Sequence, residues 1–335
     1  MIKFAIPQIG DEEKEAVLKV LDSGRLTDGP MVEEFERMFG EIHGGYAVAV
    51  SSATAGLHLL FSEYENIILP AMTHIATANA ARNAGCEIKF ADCGPDGNMT
   101  DEAIFQARKG GFEDAPVCGL HYLGKPCEAK IDMVDSALHI GHQIKVPSVF
   151  SFYPAKQMTS CEGGMVVTKD AAQAERIRTA RAFGRERLGV YRFTSEGLNY
   201  RMSEVHAAIG TEQLKKLPGF LAKRKENWET LRALIEGEVI ESMPGSAYAF
   251  GALLKSKDER DRMKQRLLED GVETSIHYET IVPDQPCYRY HQWGWPGARR
   301  IADRVLCLPV GPHLGAPDMH HIARAFNLLR KGELV

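Results

Sequence analysis

Three features of this sequence carry most of its chemistry: a lysine in a polar turn, a carboxylate closing an apolar run, and a string of small hydroxyl residues at the head of a helix. Lys156 lies in SFYPAKQMTSCEGGMVVT, between two segments that read as buried strands, with Ser151 before it and Gly163 and Gly164 after it. A lysine walled in by apolar groups loses hydration of its charged form, so its pKa falls and the neutral amine can attack a carbonyl carbon. The same side chain in water is only a solvated surface charge. Asp135, in VDSALHIG, ends the run KIDMV. A carboxylate there can cap a helix, pair with a cation, or sit beneath a protonated ring nitrogen. SSATAG, residues 51–56, follows YAVAV and leads into a helix. Backbone N–H groups at a helix N-terminus suit a phosphate, although Ser52 or Thr54 can serve equally as a plain cap. Together, in this order, the three match the needs of pyridoxal phosphate: a helix N-terminus for the phosphate, a carboxylate for the pyridine nitrogen, a lysine to hold the aldehyde as an imine.

The elements that must position these residues follow from the apolar pattern. Short runs (YAVAV, NIILP, EIKFAD, PVCGLH, KIDMVD, VPSVFSF, MVVT) alternate with helical stretches, which predicts a mostly parallel sheet flanked by helices. Ligands in such sheets bind beyond the carboxyl ends of the strands, where all three features lie. Ahead of the sheet, DEEKEAVLKVLDSG and GPMVEEFERMFGEI predict two helices, the first stopping at Gly24, the second starting at Pro30 with Val32, Phe35, Phe39 and Ile42 on its inner face. After Asn199 the pattern predicts two long helices, MSEVHAAIGTEQLKKL and FLAKRKENWETLRALIEG, and then a smaller α+β unit. Its strands are SAYAFGALL, VETSIHY and RVLCLPV, and its helices DERDRMKQRLLEDG and APDMHHIARAFNLLRKG. The expected division is 1–215, a large cofactor-binding domain, and 216–335, a linker helix with the small domain.

Composition narrows the partners. The 335 residues are 44% hydrophobic with a formal net charge of -5, which supplies a core but no basic surface for nucleic acid or anionic membrane. There is no apolar run of signal-peptide or membrane-spanning length, so a cytoplasmic protein with small-molecule ligands is expected. Seven scattered cysteines without a C-x-x-C pair, and adjacent His320 and His321 that diverge on a helix, predict no metal site.

The segments SGRLTDGPMVEEFE, AVSSATAGLHLL, LPAMTHIATANAARNAGCEIKFAD, SFYPAK with EGGMVVT, GLNYRMSEVHAAIG and RVLCLPVGPHL, in this order, resemble the DegT-like (DegT/DnrJ/StrS) sugar aminotransferases. These are fold-type I, PLP-dependent enzymes of the aspartate aminotransferase-like transferase fold. The resemblance implies that Lys156 binds the cofactor as an imine and Asp135 pairs with its pyridinium nitrogen. It places Ser52, Ala53, Thr54 and Ser151 around the phosphate, His74 against the ring, and Asn199 at the phosphate of a neighbouring subunit in a homodimer with composite active sites. His277 and Tyr278, in SIHYET, fall near the substrate. The implied activity moves an amino group, from glutamate, onto a nucleotide-linked keto-deoxysugar in amino-sugar, lipopolysaccharide or secondary-metabolite synthesis. A sugar dehydratase on the same scaffold is the nearest rival, but there a histidine resembles the replacement of the imine lysine. A silent PLP-binding regulator is the reading from outside enzymology. His74 stands where the family has a larger aromatic. Leu138 replaces a polar residue beside the cofactor, a contact that His139 could supply instead. Little chain remains for a helix between LHYLG and IDMVD.

Overall fold

Buried strands set the frame of the molecule. The computed structural model describes residues 1–186, 190–288 and 294–332. The elements in chain order are α1 (Asp11–Ser23), α2 (Pro30–His43), β1 (Tyr46–Val50), α3 (Ala53–Phe61), β2 (Asn66–Pro70), α4 (Ile75–Asn83), β3 (Glu87–Ala91), α5 (Asp101–Ala107), β4 (Cys118–Leu120), β5 (Met133–Asp135), β6 (Ser148–Ser151) and β7 (Gly164–Thr168). Strands β1-β7-β6-β5-β4 form one sheet, and a parallel bridge from Val117 to Ile68 continues it to the pair β2-β3. β4, β5 and β6 run parallel, and β7 runs antiparallel to both its neighbours. β4, β5 and β7 are buried along their whole length, which is why they read as unbroken apolar runs rather than alternating ones.

Helix α3 lies close against this sheet because Gly56 has no side chain: a Cβ there would come within 3.0 Å of both Val166 and Val149. Between β4 and β5 the chain makes only a short 3-10 turn at Tyr122–Gly124 and then loop, in keeping with the trimmed sequence. Helix α2 is held from far along the chain. The buried carboxylate of Glu204 accepts hydrogen bonds from Gly29 N, Met31 N and Val32 N at 3.1, 2.9 and 3.0 Å, satisfying the orphan donors of that helix start. Ile42, expected on the inner face, is exposed. His43 takes the place instead, its ring stacked on Phe39 at 4.1 Å, because the residue one position on completes the stripe set by Phe35 and Phe39.

The remaining elements are α6 (Ala171–Ala180), α7 (Glu204–Leu234), β8 (Glu238–Ile240), β9 (Phe250–Leu253), α8 (Lys257–Glu269), α9 (Pro296–Arg304), β10 (Val305–Leu308) and α10 (Ala316–Lys331). Antiparallel strands β10-β9-β8 build a second sheet with its own core of Trp228, Phe250, Met263, Leu306, Ile322 and Phe326. Two expectations are corrected here. The two long helices are one, α7, continuous through Pro218 and Gly219. Proline inside a helix costs about 3 kcal/mol, and packing on α1 and α2 before it and on α10 after it offsets that loss. The boundary expected between 215 and 216 therefore falls within a helix. VETSIHY is not a strand: it makes two isolated bridges, Val272 with Ile2 and Ser275 with Cys307 on the edge of β10. Beyond the second bridge the chain turns toward the carboxyl ends of the large sheet, where the Tyr122 hydroxyl donates to the carbonyl of His277. Among the described residues no helix is long and apolar enough to cross a membrane.

Candidate active site

Three strand ends converge at one place. Ser151, the last residue of β6, pairs with Gly164, the first of β7. Gly164 in turn lies against the start of α3: a Cβ at 164 would sit 2.5 Å from Ala53 N and 2.6 Å from the Ser52 carbonyl carbon, so only glycine allows this approach. The Ser52 hydroxyl caps α3 by accepting from Ala55 N at 3.1 Å, which leaves the N–H groups of Ala53 and Thr54 as unused donors of the first turn. The Ser151 hydroxyl accepts only a long contact, 3.5 Å, from Tyr153 N. Asn199 is exposed and bridges Ala182, and the carbonyl of its neighbour Tyr200 accepts from Ser51 N at 2.8 Å.

Asp135 ends β5 and is buried, 4% exposed. Its Oδ1 accepts from Ala137 N at 2.9 Å and its Oδ2 from the Thr77 hydroxyl at 2.8 Å. Thr77 lies in the first turn of α4, whose N-cap is His74, the Nδ1 of which accepts from Ala76 N at 3.2 Å. Although His74 is open to solvent on one side, enough protein surrounds its ring that burial lowers its pKa, with Asp135 opposing and Lys156 adding to the effect.

Lys156 sits in a turn held on both sides of it. The Gln157 amide donates to the carbonyls of Leu138 and Ser246 at 2.8 and 3.1 Å, and the Thr159 hydroxyl donates to Phe152 O at 2.9 Å. The amine lies 5.3 Å from the centroid of the Tyr248 ring. Burial pulls its pKa down to about 8, and Asp135 partly resists that shift. Part of the lysine side chain still meets solvent, yet its nitrogen end is deep enough for desolvation to dominate. Tyr248 is fixed from behind by the fully buried guanidinium of Arg224, which donates to the carbonyls of Ala247 and Tyr248 at 3.4 and 3.0 Å.

His277 and Tyr278 close the opposite side. Their rings lie 5.4 Å apart, that of Tyr278 is 5.8 Å from His74, and that of His277 is 5.0 Å from Tyr248. Burial, then the charges of Lys156 and His74, push the His277 pKa down to about 3, so it is neutral near pH 7 with an Nδ1 that has no hydrogen-bond partner. Leu138 is buried, and His139 turns elsewhere: its Nδ1 faces Gly124 O at 2.8 Å and the Ser246 hydroxyl at 2.7 Å. Thus Lys156, Asp135, His74, His277 and Tyr278 come together through their ring contacts and charges, with Ser52, Ala53, Thr54 and Ser151 at the neighbouring strand ends. Asn199 faces outward at the same edge. Sequence reasoning missed Thr77 and Tyr248. Thr73 and Thr77 in MTHIAT, four residues apart across the start of a helix, were a visible signal. Nothing in SAYAF distinguishes Tyr248 from a core aromatic.

The donor set fits a phosphorylated pyridine aldehyde: helix N–H groups for an anion, a carboxylate for a cationic ring nitrogen, and an amine of lowered pKa for the carbonyl. Comparison with solved structures gives the same fold. TlmJ from Streptoalloteichus hindustanus, an aminotransferase, is 28% identical, with a TM-score of 0.87 over 97% of each chain. DesI, solved in the presence of its TDP-sugar product, is 27% identical, with a TM-score of 0.88 over 99% of this chain and 93% of its own. Spr1654 from Streptococcus pneumoniae, in its PLP-form, matches over 100% of both chains at 21% identity and a TM-score of 0.90, which speaks to the fold alone. The model of the DegT/DnrJ/EryC1/StrS aminotransferase family matches residues 7–327, and the chain belongs to that family and is an aminotransferase.

Proposed function

We propose that this aminotransferase uses pyridoxal phosphate to move an amino group from an amino acid, glutamate first among candidates, onto the keto group of a nucleotide-linked deoxysugar. The observation that carries the reading is a buried carboxylate, Asp135, held by Thr77 and Ala137 N beside the charge of Lys156, whose own amine is desolvated against the Tyr248 ring. Bound among these side chains, the cofactor supplies a carbonyl for amines to condense with and a cationic ring that accepts a carbanion's electrons. The chain supplies the rest. Ala53 N–H, Thr54 N–H and Ser151 hold the phosphate, Asp135 holds the ring nitrogen, and His74 covers one face of the ring. Lys156 Nζ takes the proton from the donor's α-carbon and delivers it in the reverse sense to the acceptor. An amine with a pKa near 8 does both, since each form is populated near neutral pH. His277, neutral and with a free Nδ1, accepts a hydrogen bond from a sugar hydroxyl, and Tyr278 lies beside it.

The same reading makes the protein a homodimer in which exposed Asn199 reaches the phosphate of the partner subunit, and divides each chain into a large and a small domain joined by α7. DesI, a relative solved in the presence of its TDP-sugar product, supports the sugar assignment. The test is spectroscopic. Protein incubated with pyridoxal phosphate and freed of excess should keep a visible absorbance band that borohydride fixes on Lys156 and that glutamate shifts. A panel of keto-sugar nucleotides should then return the band. A colourless protein, or a band indifferent to every amino donor, would overturn the reading.

A further inference from the structure

We propose that Thr77, backed by Thr73, is a positioning residue for Asp135, fixing the carboxylate in the one orientation that leaves its outward lone pairs for a cation at this site. The inference rests on the functional reading above, since the cation meant is the protonated ring nitrogen of the cofactor.

The hydrogen-bond directions carry it. The Thr77 hydroxyl donates its single proton to Asp135 Oδ2 at 2.8 Å. Its 3.0 Å contact with the Thr73 hydroxyl must therefore use the proton of Thr73, so the chain of donors runs from Thr73 to Thr77 to Asp135. Thr73 is 1% exposed and Thr77 0%, so water does not compete at either hydroxyl. A buried threonine in a helix usually satisfies itself by bonding back to the carbonyl four residues earlier. Thr77 instead reaches across 58 residues of sequence to a carboxylate. It is not the helix cap either, because His74 fills that role.

Two donors on two different oxygens, Thr77 on Oδ2 and Ala137 N on Oδ1, remove the freedom of the carboxylate to swing. Donors in series polarise one another, which strengthens the bond to the anion. The geometry has a further consequence. His74 and Thr77 belong to one turn of α4, so the ring that covers the cofactor and the hydroxyl that aims the carboxylate are set by the same few backbone atoms. Without Thr77, Asp135 keeps one donor and is free to turn toward the nearest cation, Lys156, whose charge it already attracts.

The experiment compares Thr77→Val, Thr77→Ser and Thr73→Val in the whole chain, with Asp135→Ala as reference. Pyridoxal phosphate binding to the cofactor-free protein is followed by fluorescence quenching, the bound band by absorbance, and turnover by kcat and KM. For Thr77→Val we expect cofactor affinity and kcat each to fall about 10-fold, the loss of one charge-assisted hydrogen bond, with the donor's KM within about two-fold. The bound band should move toward that of Asp135→Ala, Thr77→Ser should restore all three readouts, and Thr73→Val should lie between. If Thr77→Val does not fold, as judged by its cofactor-free melting curve, Thr73→Val and Thr77→Ser decide the matter by the same readouts. Parental affinity and band in Thr77→Val, or a Thr77→Ser variant as impaired as the valine, would overturn the proposal. An Asp135→Ala protein with parental band and affinity would instead overturn the site reading itself.

Discussion

Two clusters of nitrogen bases lie around the end of β5, one of imidazoles and one holding an amine beside a carboxylate. At the candidate active site, Lys156 faces Asp135. Behind it, His139 packs on His142 with ring centroids 4.0 Å apart, His121 lies 5.0 Å from His139, and His43 lies 6.2 Å from His142. Both clusters are desolvated. In the histidine cluster the charges that add to burial come from one another and, at His142, from Lys145, all of them unfavourable to protonation. A backbone carbonyl offers the only relief, at His43 and His139. The pKa values are pushed to about 4 for His43 and His139 and about 3 for His142. The lysine falls by a similar amount, from 10.5 to about 8, even with Asp135 opposing the shift. Burial that silences an imidazole brings an amine, which starts far higher, into the range where it exchanges protons near neutral pH.

That contrast can be broken at either end. Lys156→Met should give the largest effect, lowering turnover by at least about 10³-fold through loss of the amine. The same variant should be more stable than its parent without cofactor at pH 7, because a lysine with a depressed pKa costs stability wherever it stays protonated. The gain has an upper bound of about 3 kcal/mol, reduced by the side chain's partial contact with solvent. In a pH series the gain should shrink above pH 8 and vanish above the ordinary lysine value of 10.5. A flat difference across that range would refute the shift. Next in size, the histidine cluster should make the fold acid-labile. The unfolded chain takes up protons below about 6.5 while the folded cluster does not until about 4, so stability falls as pH drops through that window, by up to about 1.4 kcal/mol per pH unit for each histidine. Urea unfolding at pH 7, 6 and 5 measures the slope, and His142→Asn should make it shallower. Smallest should be Lys3→Ala. Lys3 also faces a carboxylate, Glu273, at 2.6 Å, but in water, so its removal should change stability by less than about 1 kcal/mol. A larger loss there would mean that proximity to an anion matters more than burial.

How far these regions could be read from sequence depends on whether the signal is local. The strand ends were legible, since YAVAV stops with β1 and KIDMV and VPSVF stop one residue short of the ends of β5 and β6, and Asp135, Ser151 and Lys156 follow from that alone. Gly164 was legible as a place of close approach, though its partner, the Ser52–Ala53 peptide, was not. What stayed hidden depends on contacts between distant segments. Glu204 caps a helix that starts 174 residues earlier, Thr77 serves a strand end, and VETSIHY makes only isolated bridges, to Ile2 and to Cys307, before it bends away. Pro218 misled for the opposite reason: its local signal was strong and tertiary packing overrode it. The histidine cluster gives no periodic signature, because His43 comes from α2, His121 from the end of β4, and His139 and His142 from the loop after β5.

Helix α7 spans 31 residues, about 46 Å of unbroken rod. Along it, Glu204 grips α2, Gln213 holds Gln8 and Glu13, Arg224 holds the wall facing Lys156, and Asn227 ties down the loop at Val310 and Gly311. Gln213, Arg224 and Asn227 fall within about 60° of one another around the helix and Glu204 on the opposite face, so the four grips hold one fixed angular relation. One residue added or removed between Gln213 and Arg224 would turn every later grip by about 100° against the earlier ones. The connection between β4 and β5 is short without displacing Asp135 from its strand end, but the span of that rod admits no such edit.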